Sequence, residues 1–433
     1  MGSNDRGHTD RMESESGSLN RRIFDFLFAP DSKFVRVFRH RDFRIMWMGA
    51  FLSFVGSWVQ NVGQGFLVYD ITQSKEKLAL ISFCGMVPVT FLGPFGGSIV
   101  DRLDRRKLLI WTQVLLALGA FVVFFSYLYM GRKMPIEILV VVALLGGTVS
   151  CLEMPARQLV IADTIPREDL PVAIPFQGLT FNLARVVGPA VGGILLAKVG
   201  VQACYLVNGL SFAALVLATL AIRTNLSSQK RQIEPIGDLL KEGYLYTMHE
   251  PRLKALFYLE TGVSLFALFY LVQLPALAKD ILHLGTRGVG DVYTAVGVGS
   301  ILALTLTAKT ADLHIKGLLV RGAITAMALG LAGLALLENR IAVFGILVML
   351  GMASVTLFNT CNSLFQLIAP ERLRGRVLSM HIWALSGVGP LGVYPFGLLA
   401  EHYGLTYALG WSAGLTGALA IAAWSLRLRL ESE

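Results

Sequence analysis

Glu153, Arg157, Arg185 and Glu260 stand in stretches of the chain that are otherwise oily. A carboxylate among apolar neighbours can take up or release a proton as its surroundings dry and wet. Desolvation favours the neutral acid, and a nearby cation favours the anion. That is the chemistry of proton coupling, and Glu153, Arg185 and Glu260 are its candidates. Glu153 and Arg157 are one helical turn apart, so they share a face and can pair. Arg157, nearer the end of its segment, reads as structural. Arg185 can pair with Glu153 if their two segments pack together. The plainer alternative is a static buried ion pair that fixes helix packing. Glu260 ranks below Glu153 because it lies close to the end of its segment. A second set of residues offers hydrogen bonds without charge. Gln60, Asn61 and Gln64 cluster beside Trp58 in "GSWVQNVGQG", and Asn182 precedes Arg185 by one turn. Asn359, His381 and Trp383 are their equivalents late in the chain. All are candidate substrate contacts, with interhelical hydrogen-bonded glue as the alternative. For His381 an interhelical bond is the more ordinary reading than proton carriage.

Such residues need a scaffold that is itself dissolved in lipid. Of 433 residues 54% are hydrophobic and only 15% charged, and the mean hydropathy is +0.61. Twelve apolar segments between residues 43 and 426 are long enough to span a hydrocarbon layer of roughly 30 Å. Backbone groups in lipid must bond internally, so the segments are predicted to be helices. The four cysteines, Cys84, Cys151, Cys204 and Cys361, each sit alone in apolar sequence and read as buried small residues, with no metal site and no disulfide framework. The net charge of +9 is explained by position. By far the greater share of Lys and Arg falls on the side that holds the N-terminus, which the positive-inside rule assigns to the cytoplasm together with the C-terminus. No nucleic-acid partner is needed to account for it.

The longest connection between segments divides the chain. The predicted organisation is a cytoplasmic tail with an amphipathic stretch at 21–30 (1–42), a six-helix bundle (43–222), a cytoplasmic linker (223–253), a second six-helix bundle (254–427) and a short tail (428–433). A weak internal repeat supports the division. "IPREDL…VVGPAVGG" (165–193) answers "APERLRGR…GVGPLGVYPFG" (369–397), so Gly188-Pro189 matches Gly389-Pro390. Duplicated halves of this kind suit a transporter that rocks about a central site.

One knot of charge interrupts the oily sequence: "GGSIVDRLDRRKLLI" (96–110). Its pattern Gly97-x-x-x-Asp101-Arg102-x-x-Arg105-Arg106 resembles the signature loop of the major facilitator superfamily, G-x-L-A-D-R-x-G-R-K-x-x-L, with Ile99 and Asp104 as departures. Within that superfamily the stretches 40–72, 155–174, 181–193 and 238–257 resemble a drug- and siderophore-exporter branch of the enterobactin exporter type. The resemblance implies an all-α membrane protein of 12 transmembrane helices in two pseudo-symmetric six-helix bundles. It also implies export of amphipathic small molecules, generally driven by protons. By the same resemblance Gly97, Asp101, Arg102, Arg105 and Arg106 form a latch. Asp101 would meet the N-terminus of the eleventh segment near Arg376, where the helix dipole favours an anion, and Arg105 and Arg106 would brace that contact. "GPAVGG" (188–193) resembles an antiporter bend, with Gly188, Pro189, Gly192 and Gly193 thinning and bending the fifth helix. The expected setting is a bacterial inner membrane, with a small molecule, protons and lipid as partners, no cofactor, no metal and a monomeric chain. The alternatives are the same fold moving a lysolipid or importing a metabolite. A receptor or an intramembrane enzyme is the rival class, against which no catalytic motif or phosphate-binding loop is present.

Overall fold

The computed structural model describes residues 33–100, 102–224, 226, 236–309 and 315–425. The stretch 21–30 and Asp101 therefore lie outside the described residues, as do the side chains of Gly97 and Asn182. The first half comprises α1 (Lys33–Arg39), α2 (Arg41–Thr72), α3 (Lys75–Val100), α4 (Arg105–Met130), α5 (Ile136–Asp163), α6 (Leu170–Lys198) and α7 (Val201–Ala221). A connecting helix, α8 (Ile236–His249), follows. The second half holds α9 (Pro251–Phe266), α10 (Phe269–Val272), α11 (Leu274–Ala276), α12 (Thr286–Lys309), α13 (Lys316–Leu336), α14 (Arg340–Ile368), α15 (Arg374–Ile382), α16 (Gly389–Tyr403) and α17 (Leu405–Ser425). Ten of the described helices are long and apolar enough to cross a membrane.

The outer surface is oily in helical register. Along α4, Trp111, Leu115, Leu118, Val122, Phe125 and Tyr129 are all exposed, Trp111 at 64%. A continuous stripe of that kind needs lipid as its solvent. Inside each half the helices cross repeatedly: α2 packs on α6 and α7, α3 on α5, and α4 on α5 and α7. The second half pairs α12 with α14 and α13 with both α14 and α17. The halves meet along α6 against α12 and along α3 against α16. The α6–α12 contact is backbone on backbone. A Cβ added to Gly193 would lie 2.6 Å from the Gly290 Cα, so only glycine permits this approach.

The linker region carries α8, which docks on α15, where Glu242 pairs with Arg372 at 2.8 Å and also with Arg376. Two expectations change. The seventh segment is not one helix. It breaks into α9, α10, α11 and a π turn over Leu277–Ile281, with Pro275 in the first turn of α11, where its missing N–H is tolerated. The eleventh segment is split by a π turn, Trp383–Gly387, with Pro390 starting α16. Interrupted helices of this sort gather at functional sites in membrane proteins.

Candidate functional site

The charge knot ties three helix ends together within the first half. Asp104 caps α4, its Oδ1 accepting the Lys107 backbone N–H at 3.0 Å. Arg105 donates to Asp163 at the end of α5 (2.7 Å). Arg106 donates to the Ile222 and Thr224 carbonyls just beyond α7 (2.9 and 3.0 Å). Arg102 is exposed. Arg105 and Arg106 thus brace helix ends of their own half. Arg376 at that segment's start pairs with Glu242 of α8. The knot marks the basic face of the molecule.

The described polar contacts that join the halves gather at the opposite face. The Tyr69 hydroxyl donates to Asp280 at 2.6 Å, and the Lys75 ammonium pairs with the same carboxylate at 2.8 Å. Asp70 takes a two-pronged bond from Arg132 (2.9 and 3.1 Å) and a third from Lys279 (3.2 Å). Glu401, at the end of α16, accepts the backbone N–H groups of Lys75 and Glu76 at the start of α3 (2.7 and 3.3 Å). The Gln273 amide donates to the Lys75 carbonyl (3.0 Å). This network was missed from sequence. Its members come from widely separated parts of the chain, so no local spacing in the sequence reveals it.

Between the two faces runs a stripe of α2 that looks toward the second half. Phe54, Trp58, Asn61 and Gly65 recur at helical spacing. At Gly65 the stripe is shut, since a Cβ there would meet Pro275 and Tyr293 at 2.9 and 3.0 Å. Toward the basic face Asn61 is exposed, and Trp58 and Phe54 are half-buried. Past Gly65 the stripe is incompletely covered toward the basic face, which marks a candidate cleft between the halves. The three amides do not act together. Gln60 accepts a 2.7 Å bond from Asn208 of α7, so it is glue between helices rather than a cleft residue, while Gln64 lies about a quarter-turn from Asn61 and Gly65. Asn208 escaped notice in the sequence because a lone Asn in an apolar run carries no pattern. Gly188 sets the position of α6 on α2, for a Cβ there would come 2.3 Å from the Trp58 Cβ. Gly192 and the buried Pro189 extend the same seam, with Gly192 against Val59 and Val62. One turn before Gly188, the Arg185 guanidinium lies 5.6 Å from the centre of the Trp58 ring.

Two buried acids lie at matching depth, each about 15 Å from the basic-face end of its helix at 1.5 Å per residue. Glu153 of α5 accepts from Arg157 at 2.5 Å and from Gln113 of α4 at 2.8 Å. Arg157 also reaches Ser53 of α2 (3.2 Å) and covers the Phe54 ring at 4.2 Å. Glu153 is thus paired with Arg157 and not with Arg185. Glu260 of α9 is fully buried against His381 of α15, Nδ1 to carboxylate at 2.9 Å. Its second oxygen is buried with no hydrogen-bond partner among the described residues. Cys361 of α14 is within electrostatic reach of Glu260, and the Phe365 ring lies 5.4 Å from His381. His381 lies two residues before the π turn, whose Trp383 stacks on Phe257 at 6.1 Å and is 37% exposed. Asn359 is half-buried on α14.

The model of a family described as transmembrane secretion effector matches residues 32–433. The chain is 25% identical over 366 residues to the staphyloferrin A transporter of Staphylococcus aureus, covering 82% of this chain and 89% of that protein. It is 27% identical over 356 residues to an enterobactin exporter of Shigella flexneri, covering 78% and 80%. Among solved structures the nucleoside transporter NupG superposes with a TM-score of 0.71 at 15% identity, over 89% of this chain and 98% of that one, a likeness of fold.

Proposed function

The chain belongs to the transmembrane secretion effector family of the major facilitator superfamily, and from that membership we propose that it exports amphipathic small molecules across the bacterial inner membrane by alternating access, driven by protons. As a member it is a multi-pass membrane protein that moves small molecules and is not an enzyme. The basic face is cytoplasmic, by the distribution of Lys and Arg. The cleft then opens inward, toward the cargo, and the network around Asp70, Asp280 and Glu401 is the closed outer gate.

One observation carries the proton reading: the fully buried Glu260–His381 pair with an unpartnered carboxylate oxygen. Glu153 has its charge answered by Arg157 and its hydrogen bonds by Arg157 and Gln113. Glu260 faces an imidazole, joins α9 to α15 and lies beside a break in the eleventh segment. A proton reaching this pair changes the charge at the joint on which the second half bends. Protonated Glu260 releases His381 and lets α15 move with the gate. Deprotonation restores the contact.

The test uses the full chain in proteoliposomes with an imposed pH gradient and a labelled amphipathic cargo. Wild type accumulates cargo against its gradient. Glu260→Gln and His381→Gln are expected to lose gradient-driven accumulation while keeping downhill exchange. Accumulation in both variants at the wild-type level would remove the pair from the coupling mechanism.

A further inference from the structure

Arg157 and Arg185 both carry a guanidinium into the membrane layer, and only Arg157 meets an acid there. Arg185 donates no hydrogen bond to a described residue and has no carboxylate partner among them; its one ring contact is Trp58 at 5.6 Å. It stands about 22 Å from the basic-face end of α6, near mid-membrane by helical rise. A guanidinium stays charged at any working pH. A lone charge at that depth is strongly disfavoured unless a cavity or a partner answers it. Arg185 is half-buried, so part of it reaches open space.

The surroundings say what enters that space. Phe181, one turn before Arg185, is 37% exposed and packs edge-on against both Trp58 (6.2 Å) and Phe54 (5.5 Å). The three rings make a shelf beside the cation. Gly188 holds α6 hard against α2 at Trp58, so shelf and guanidinium cannot drift apart. From the other half Tyr270 comes within electrostatic reach of Arg185. Its hydroxyl is buried near Ser354 and lacks a hydrogen bond of ordinary geometry. The group that completes this arrangement has a flat apolar body for the rings and a planar anion for the fork of Arg185.

We infer that Arg185 and the Trp58–Phe181 shelf are the anion-recognising end of the cargo site, and that the cargo is an amphipathic organic anion. The inference rests on the transport reading above and names the substrate class of that same cleft. The cargo supplies the counter-charge that no described residue provides. An occupied site is then neutral and an empty one cationic.

Equilibrium binding of three radiolabelled probes to the full chain in lipid nanodiscs tests it: 2-naphthoate, neutral 2-naphthamide and cationic 2-naphthylmethylamine. Naphthoate is expected to bind at least about tenfold more tightly than naphthamide, with the amine weakest. Arg185→Gln should erase the charge preference with the thermal midpoint unchanged, and Arg185→Lys should restore part of it. Trp58→Leu should weaken all three probes alike. Equal binding of the three probes to wild type, no binding by any of them, or a naphthoate preference that survives Arg185→Gln would each overturn the inference. The wild-type charge series decides the matter even if a variant fails to fold. Counterflow in vesicles is read separately. Naphthoate bound through Arg185 without movement would sink the transport reading and leave the site standing; movement without charge preference would do the reverse.

Discussion

Glu153 and Glu260 are both buried acids, and their neighbours give them different work. Around Glu153 the Arg157 fork, the Gln113 amide and Ser53 form a network across α5, α4 and α2. Breaking a buried pair by deleting one partner leaves the other charge stranded. Arg157→Ala is therefore expected to destabilise the first half by about 3–5 kcal/mol, read as a fall in thermal midpoint in detergent. The folded fraction should keep its dependence on the pH gradient. Loss of gradient dependence without loss of stability would return Glu153 to the coupling site.

At the scale of elements, α3 and the eleventh segment run side by side and are clamped at the end away from the basic face. Glu401 satisfies the orphan N–H groups that open α3, an anion on the positive end of a helix dipole. The latch expected from the sequence is the same device on the same two helices at their other ends, with Asp101 as the anion. Closing one end while opening the other gives a seesaw. A charge-assisted hydrogen bond is worth roughly 1.5–3 kcal/mol, so Glu401→Ala should shift the outward-open population about tenfold or more. Spin-label distances between the outer ends of α3 and α16 would report it, and an unaltered distribution would argue against the clamp.

The small helix α1 is held by a different acid. Asp169 accepts from Arg36 and, at 3.1 Å, from His40. Burial pushes its carboxyl up, but those hydrogen bonds and charges outweigh it and leave the folded value below the ordinary 3.8. A depressed acid contributes stability above its unfolded pKa and loses it as pH falls through the folded value. Docking of α1 is thus expected to hold at neutral pH and to release below about pH 4. Phe38 packs edge-on to Trp47 at 5.2 Å, so a variant with Trp47 as its single tryptophan should show the release as an emission shift, absent in Asp169→Asn.

For the whole molecule the decisive quantity is which face is cytoplasmic. The four native cysteines are buried and free, so the chain is already suited to surface labelling. With an impermeant maleimide, Lys133→Cys should react in intact spheroplasts and Lys107→Cys only after permeabilisation. The opposite pattern would invert the gate assignment and make the chain an importer by geometry.

Membrane residence, an all-helical chain and two related halves could be read from the sequence, because lipid allows only internally bonded backbone and spans demand long apolar runs. Gly188 and Gly193 were also legible as close-packing positions, since a missing Cβ has few other uses in lipid. Partnerships were not legible. That Glu153 belongs to Arg157, that Glu260 belongs to His381 across 121 residues, that Gln60 is spent on Asn208 and that Asp70, Asp280 and Glu401 converge on one face are facts about crossing angles and depths. One-dimensional spacing holds information within a helix, where a turn sets the neighbours. Between helices only the tertiary packing decides which charge is answered and which, like Arg185, meets no acid among the described residues.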